Sequence, residues 1–191
     1  MRICVYGAAS SHIDKVYLDR TFELGVELAK RGHSLTYGCG ATGVMGAVAR
    51  GVHHGNGKVL GVIPKFFKEE SVEVVYFESD EIIFTDTMRE RKQIMEDNAD
   101  AFIIAPGGIG TYEEFFEILT SKQLCRHNKP IALFNVEGYY DEILVALNQA
   151  IKKNFIRSRC DELLFVSSDI GEILKYVETP DNRVRTIKDL K

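Results

Sequence analysis

Short runs of β-branched and other apolar residues alternate with longer segments whose apolar positions recur every three or four residues, from residue 2 to about residue 177. Such alternation is the pattern of βα units that build a parallel sheet between layers of helices. The chain is therefore predicted to be α/β: a doubly wound, Rossmann-like, mostly parallel sheet with helices on both faces. Strands are expected at 2–7, 34–37, 59–63, 81–85, 101–105, 131–134 and 163–166. Helices are expected over 14–31, 42–54, 87–98, 111–125, 141–153 and 169–177. In the first of these Val16, Phe22, Val26 and Ala29 fall near a 3.6 period, which Gly32 ends. Asp86 is read as the cap of the helix that follows it. Between 64 and 80 a proline, two adjacent phenylalanines and the run Lys68-Glu69-Glu70 break any period, so a mobile or ligand-covering loop is expected. Beyond Pro180 the chain is polar, and it is expected to be loose. The organisation read from this is one nucleotide-binding domain over 1–178 and a tail over 179–191, with no internal repeat or dividing linker.

Composition narrows the class without changing it. A chain of 191 residues can bury roughly 70% of its unfolded surface and needs no disulfide or metal to hold it together. No apolar run approaches the ~20 residues of a membrane-spanning helix, and Arg2 to Gly7 is too short an apolar stretch for an export signal. The expectation is a cytoplasmic protein that binds no membrane. A net charge of -4 argues against a nucleic-acid partner, because phosphate backbones are held by clustered lysine and arginine. Cys4, Cys39, Cys125 and Cys160 are scattered, without a Cys-x-x-Cys pair, so reduced thiols are expected, with Cys39 a small buried filler.

Three glycine-rich turns follow predicted strands. In Ala101 to Thr111 the sequence Pro106-Gly107-Gly108-Ile109-Gly110-Thr111 joins a buried strand to a helix. Glycines there let backbone amides approach an anion at a helix N-terminus, whose dipole adds positive charge. Thr111 is expected to cap that helix and to donate its hydroxyl to a phosphate oxygen. Gly38 to Gly46 contains one Gly-x-Gly-x-x-Gly match, but no acidic residue ends the next strand, as a dinucleotide site requires. No Walker sequence is present either. Gly7-Ala8-Ala9-Ser10-Ser11 supplies the third turn, and all three are predicted to meet at the carboxyl edge of the sheet.

The charged residues near these turns define the candidate chemistry. Arg91 and Lys92, in Met88-Arg89-Glu90-Arg91-Lys92, are candidates for gripping an anion or donating a proton, against the alternative of a solvated face neutralised by Glu90. Glu113 and Glu114 open the helix after the anion turn. Being adjacent they sit about 100° apart, so one can face a ligand while the other bridges to a neighbour. A carboxylate beside a phosphate site and an arginine suits cleavage of a glycosidic bond. His12, His33, His53, His54 and His127 show no metal-ligand spacing, so they are read as structural or surface residues and no metal is expected. Nothing beyond the presence of Lys92 points to pyridoxal phosphate, and no cofactor is expected.

Residues 106–114 fit the pattern PGGxGTxxE, and Met88 to Lys92 fit MxxRK. Together, over about residues 1–178, they resemble the Lonely Guy family of cytokinin riboside 5'-monophosphate phosphoribohydrolases, whose members have often been labelled lysine decarboxylases. The resemblance implies a hydrolase that splits a nucleoside 5'-monophosphate, AMP or a cytokinin riboside monophosphate, into free base and ribose 5-phosphate. Carried over by motif, Arg91 and Glu114 are the catalytic pair. Glu114 would position or activate water or the ribose hydroxyls, and Arg91 would stabilise or help protonate the departing base. Gly107, Gly108, Gly110 and Thr111 hold the phosphate, and Gly7, Ser10, Gly43, Met88, Lys92, Glu113 and Thr120 line the nucleotide site. A homodimer whose interface helps build the site is also implied. The chain departs from the family's usual pattern at Cys39, at Ala8-Ala9 and at Arg89, which leaves base preference open. A non-catalytic nucleotide or molybdenum-cofactor carrier of the same fold is the alternative, and a pyridoxal-dependent decarboxylase a third. Retention of both Arg91 and Glu114 favours the enzyme, since a carrier needs only the amide cradle.

Overall fold

The computed structural model describes residues 1–157, 162–179, 181, 183 and 186–190; Cys160 lies outside them. Seven strands, β1 (Arg2–Tyr6), β2 (Ser34–Tyr37), β3 (Val59–Pro64), β4 (Glu81–Thr85), β5 (Ala101–Ile104), β6 (Ile131–Phe134) and β7 (Phe165–Ser167), form one sheet in the order β4-β3-β2-β1-β5-β6-β7. Every pairing is parallel. The helices are α1 (Lys15–Lys30), α2 (Gly43–His54), α3 (Lys65–Glu69), α4 (Met88–Asp97), α5 (Ile109–Gln123), α6 (Asp141–Lys152), α7 (Ile170–Glu178) and α8 (Ile187–Leu190). The doubly wound α/β expectation is met.

Successive strand residues point to opposite faces, and in β1 both faces are apolar. Ile3 and Val5 join a core with Leu24 and Leu28 of α1, Val48 and Val52 of α2 and Ile173 and Leu174 of α7. Cys4 and Tyr6 join a second core with Met95 of α4, Phe115 and Ile118 of α5 and Tyr140. A strand covered on both faces reads as a continuous apolar run, which is why the central strands are visible in the sequence. The chain winds outward from β1 through β2, β3 and β4, then returns to β5 on the other side of β1. The turns leaving β1 and β5 therefore part at the switch point of the sheet, where such folds open a crevice. There the Ala8 amide donates to the Pro106 carbonyl at 3.2 Å.

Three local expectations are corrected. The cap of α4 is Thr87, not Asp86: the Thr87 hydroxyl accepts from the Glu90 amide while the Glu90 carboxylate accepts from the Thr87 amide, a reciprocal capping box. Asp86 instead pairs with Lys65 at 2.6 Å. Helix α5 begins at Ile109, two residues before the expected start, with Gly108 as N-cap. The segment 64–80 holds α3 and then a strap fastened to the turn after β2. There the Ala41 amide donates to Val74 O at 2.7 Å, the Tyr76 amide donates to Cys39 O at 2.8 Å, and Gly40 and Val75 form an antiparallel bridge. Where the C-terminal segment is described it packs on α5: Leu190 is 1% exposed and its carbonyl accepts from Gln123 Nε2 at 2.9 Å.

Candidate active site at the switch point

At the end of β5 the chain passes through Pro106 and Gly107 into α5. The first intrahelical bond there runs from the Tyr112 amide to Gly108 O at 3.0 Å, and no side chain caps the helix. The amides of residues 109–111 are thus left without intrahelical partners, on a turn where Gly108, Ile109 and Gly110 are exposed. The opposite edge of the turn is occupied: Tyr139 Oη donates to Gly107 O and Tyr140 Oη to Ala105 O, each at 2.7 Å. With its carbonyls tied back by two tyrosines, the turn presents N–H groups and the positive helix end outward, the arrangement an anion needs.

Thr111 does not cap α5, because it already lies inside the first turn. Its side chain is buried beneath Gly107, where a Cβ would come within 2.1 Å of Thr111 Oγ1. The close approach of that hydroxyl is what demands glycine at 107. Gly108 and Gly110 face open space, consistent with room for a ligand.

The other two turns buttress this one. Gly43 has φ +60°, and a Cβ there would lie 2.6 Å from both Ala8 O and Ser10 O, so the start of α2 is pressed against the turn after β1. Thr42 Oγ1 donates to Ala9 O at 2.6 Å and the Met45 amide to Ala8 O at 3.1 Å. Gly7 faces Val44, and Ser10 Oγ accepts from the His12 amide at 3.3 Å. The structure thus shows Gly7 and Gly43 holding packing contacts, with Ser10 exposed on the same edge.

Arg91 and Glu114 come from different helices and lie near enough for the arginine's charge to act on the carboxyl. Arg91 is 4% exposed; its Nε donates to Val62 O at 3.2 Å and its Nη2 to Gly38 O at 3.1 Å. Nη1 reaches Met88 Sδ at 3.8 Å, and the guanidinium lies 5.3 Å from the centre of the Phe67 ring. Carbonyls at the ends of β2 and β3 therefore fix a permanent positive charge in a dry place. Burial pushes the Glu114 carboxyl up to about 7; Arg91 pulls it down, and the charges of Glu113 and Glu73 push it up again. Glu113 turns away to Lys92 at 2.5 Å, and Lys92 also pairs with Glu117 at 2.6 Å. One of the adjacent carboxylates bridges α5 to α4 while the other feels the charge of Arg91, as their angular separation allows. Glu90 is spent on the capping box rather than on Arg91, and Arg89 is exposed.

The pairing also bears on lysine chemistry. Burial lowers the Lys92 pKa, but the hydrogen bonds to Glu113 and Glu117 outweigh it and leave the ammonium above its ordinary range. A Schiff-base lysine needs the reverse shift.

Thr120 is not brought to this site within one chain. It is six residues beyond Glu114, about 9 Å along the helix and on another face, and it borders an apolar groove with Phe116, Leu119, Leu144, Leu147 and Ile151. Four of the five histidines serve structure, and His12 is exposed. His33 bonds Glu178 at 2.8 Å, His53 bonds Tyr76 Oη at 3.1 Å and Asp80 at 3.2 Å, His54 packs on Phe22, and His127 bonds Ile118 O at 2.9 Å. Among the described residues no group of three His, Cys, Asp or Glu is placed to hold a metal. Cys39 is fully buried and its sulfur fills the space beside Gly61.

Sequence reasoning missed Glu73. It stands on the strap, and its charge acts on Glu114 as that of Arg91 acts on it. The segment carries no periodicity, and its backbone pairing with residues 39–41 carries it to the site.

Fold and site together define a doubly wound α/β protein with an anion cradle and a guanidinium–carboxylate pair at its switch point. The family model described as possible lysine decarboxylase matches residues 45–177. The chain is 37% identical over 177 residues to a cytokinin riboside 5'-monophosphate phosphoribohydrolase of Arabidopsis thaliana, covering 93% of this chain and 82% of the relative. It is 38% identical over 190 residues to another of Oryza sativa subsp. japonica, covering 98% and 78%. The chain belongs to this family of phosphoribohydrolases, the Lonely Guy family. The molybdenum cofactor carrier protein of Chlamydomonas reinhardtii superposes with a TM-score of 0.69 at 21% identity, covering 93% of this chain and 95% of that one. At that identity the likeness shows the fold alone.

Proposed function

We propose that the protein hydrolyses the N-glycosidic bond of a purine nucleoside 5'-monophosphate, AMP or a cytokinin riboside monophosphate, releasing base and ribose 5-phosphate. The observation that carries this reading is the fixed Arg91 guanidinium whose charge acts on Glu114, a carboxyl that burial pushes up to about 7, at the uncapped start of α5. The phosphate takes the amides of residues 109–111, which sets the ribose over Glu114. In its ionised form Glu114 stabilises positive charge growing on the ribose and accepts the proton of the water that attacks the anomeric carbon. The C–N bond breaks with its electron pair going to the base. Two of the three Arg91 nitrogens already donate to carbonyls, and a guanidinium does not give up its proton at neutral pH. Arg91 therefore acts as a fixed positive charge and donor to the departing base, and the base takes its proton from protonated Glu114 or solvent.

Incubating the protein with a panel of nucleoside monophosphates and measuring free base and ribose 5-phosphate tests the reading. Glu114→Ala should lower kcat by ~10²–10⁴ with the fold intact; full activity in that variant sinks the assignment. If no panel member releases base from the unaltered protein, a carrier role takes precedence.

The same reading includes a homodimer. No residue of α6 is fully buried, and Leu144, Leu147 and Ile151 line an apolar groove with Phe116 and Leu119 of α5. A second copy seated there would cover the groove and put Thr120, on the same helix as Glu114, in the contact.

A further inference from the structure

The last residue of β1 carries a hydroxyl that the fold does not use. Tyr6 is 2% exposed, its ring lies parallel to that of Phe102 with centroids 6.1 Å apart, and it joins the core beneath α5 with Phe115 and Tyr140. Its Oη is closed off from solvent and has no hydrogen-bond partner among the described residues. Tyr139 and Tyr140, by contrast, each spend their hydroxyl on a carbonyl of the turn after β5. A buried hydroxyl without a partner costs stability that phenylalanine in the same place would not, so its retention calls for a partner. The Cys4 thiol beside it donates and accepts only weakly.

The place of Tyr6 identifies the partner. It ends the central strand at the switch point, where its carbonyl accepts from the Ala105 amide at 2.9 Å. Its side chain points to the face that α4 and α5 cover, and Phe115, the residue after Glu114, packs in the same cluster. Two carboxylates act on the hydroxyl with their charge, Glu114 more strongly than Glu96. Around Glu114 stand Arg91 and Lys92 of α4, Glu113 of its own helix, Glu73 of the strap, and Cys4 and Tyr6 of β1. Lys92 is bound to Glu113 and Glu117, and Arg91 gives two nitrogens to carbonyls. Of these groups the Tyr6 hydroxyl is the strong donor with no other hydrogen bond.

We propose that the Tyr6 hydroxyl donates to Glu114 when that carboxyl ionises, and that Tyr6 is thereby the positioning residue that holds the working carboxylate toward the sugar. This rests on the phosphoribohydrolase reading. Burial above all, then the charges of Cys4, Glu114 and Glu96, raise the Tyr6 pKa well above its ordinary value, so the residue remains a donor throughout the working range. A hydrogen bond made to the charged form alone favours that form. Tyr6 therefore offsets part of what burial costs Glu114, and without the hydroxyl the carboxyl keeps its proton to higher pH.

The experiment compares the unaltered protein, Tyr6→Phe and Glu96→Gln. Tyr6→Phe keeps the ring on Phe102 and removes an unpaired oxygen, so it should fold as before. The Glu114 midpoint is read without turnover, by NMR titration of isotope-labelled glutamate carboxyls with Glu114→Gln locating the signal. It is read again from kcat/KM for AMP against pH. In Tyr6→Phe both midpoints should move up by ~1 pH unit, with kcat/KM about tenfold lower on the acid side and little changed on the alkaline side. Glu96→Gln removes the other carboxylate that acts on Tyr6 and should leave both midpoints in place. A loss of activity in Tyr6→Phe that is equal at every pH, with the NMR midpoint unmoved, confines the residue to packing and overturns the inference alone. A shift in Glu96→Gln without one in Tyr6→Phe overturns it too. Absence of base release from every monophosphate by the unaltered protein overturns the hydrolase reading, and with it the catalytic role of the contact, whatever the NMR titration shows.

Discussion

Glu114 sits where ionisation is expensive, and that cost has two measurable consequences. Its folded-state pKa of about 7 lies above the ~4.5 of an ordinary carboxyl, so between those values the folded chain holds a proton that the unfolded chain has lost. Stability therefore falls as pH rises from about 4.5 to about 7, and it stays at the lower level above that. Glu114→Gln removes the penalty and should melt higher than the unaltered protein at pH 8, by up to roughly 3 kcal/mol, since each tenfold change in proton affinity is worth about 1.4 kcal/mol. The gap should close by about pH 4.5, and thermal melts across that range check it; equal melting at pH 8 would show that the carboxylate is not strained. The second consequence is catalytic. If ionised Glu114 is the working form, kcat/KM for AMP should rise with pH through an apparent pKa near 7. A profile already flat from pH 5 to 8 would assign the base to another group. A group that destabilises the fold in the charge state it works in is the usual mark of a site held against stability.

At the scale of elements, the turns set the site by close backbone approach, and glycine substitutions separate conformation from contact. Gly32 and Gly43 both have positive φ, at +76° and +60°, but a Cβ on Gly32 meets nothing within 4 Å whereas one on Gly43 meets Ala8 O and Ser10 O at 2.6 Å. Gly32→Ala should cost ~1 kcal/mol for the left-handed conformation alone. Gly43→Ala carries that cost and a collision with rigid backbone, so it should be clearly the more destabilising in denaturant melts. It should also weaken phosphate binding, because the turn after β1 abuts Pro106. Similar losses for the two variants would mean that the α2 turn yields without moving its neighbour. What is legible in the sequence at this scale follows from the same physics. β2 and β6 fall on the residues expected from apolar runs, because a strand buried on both faces has no competing pattern; β4 also falls where expected, although it is a partly exposed edge strand. The sequence pattern puts the start of α5 two residues late, because glycines count against a helix in any propensity reading and here they form its first turn. The Thr87 cap is written in the sequence as Thr-x-x-Glu, yet Asp86 is an equally good cap by type, and only the reach of Glu90 separates them. Arg91 and Glu114 can be paired from their motifs. Glu73 cannot, since its place depends on a bridge between residues 40 and 75 that no local pattern announces.

For the molecule as a whole, the question is what covers the apolar edge of α5 and α6. Helix α6 has its apolar residues on one side, as a helix that packs must, but that side is only half covered. Leu144, Leu147 and Ile151 are only partly buried, and Phe116 of α5, which lines the same groove, is 40% exposed. Exposed apolar surface that is contiguous and lies on regular helices marks a protein contact. A two-fold contact would bring the same patch from both copies together, and it would place Thr120 of each copy in the seam. Leu147→Asp puts an unpaired charge into that seam while leaving the sheet and both cores untouched, so a dimer should become a monomer in sedimentation equilibrium. Its melting should lose concentration dependence, as expected when association no longer stabilises the fold. If the seam also steadies α5, kcat/KM for AMP should drop in the monomeric variant. A variant that is monomeric yet fully active would confine the seam to assembly. A protein that is monomeric before substitution, at concentrations where it turns over AMP, would show that each chain carries a complete site and that the groove on α5 and α6 serves some other contact.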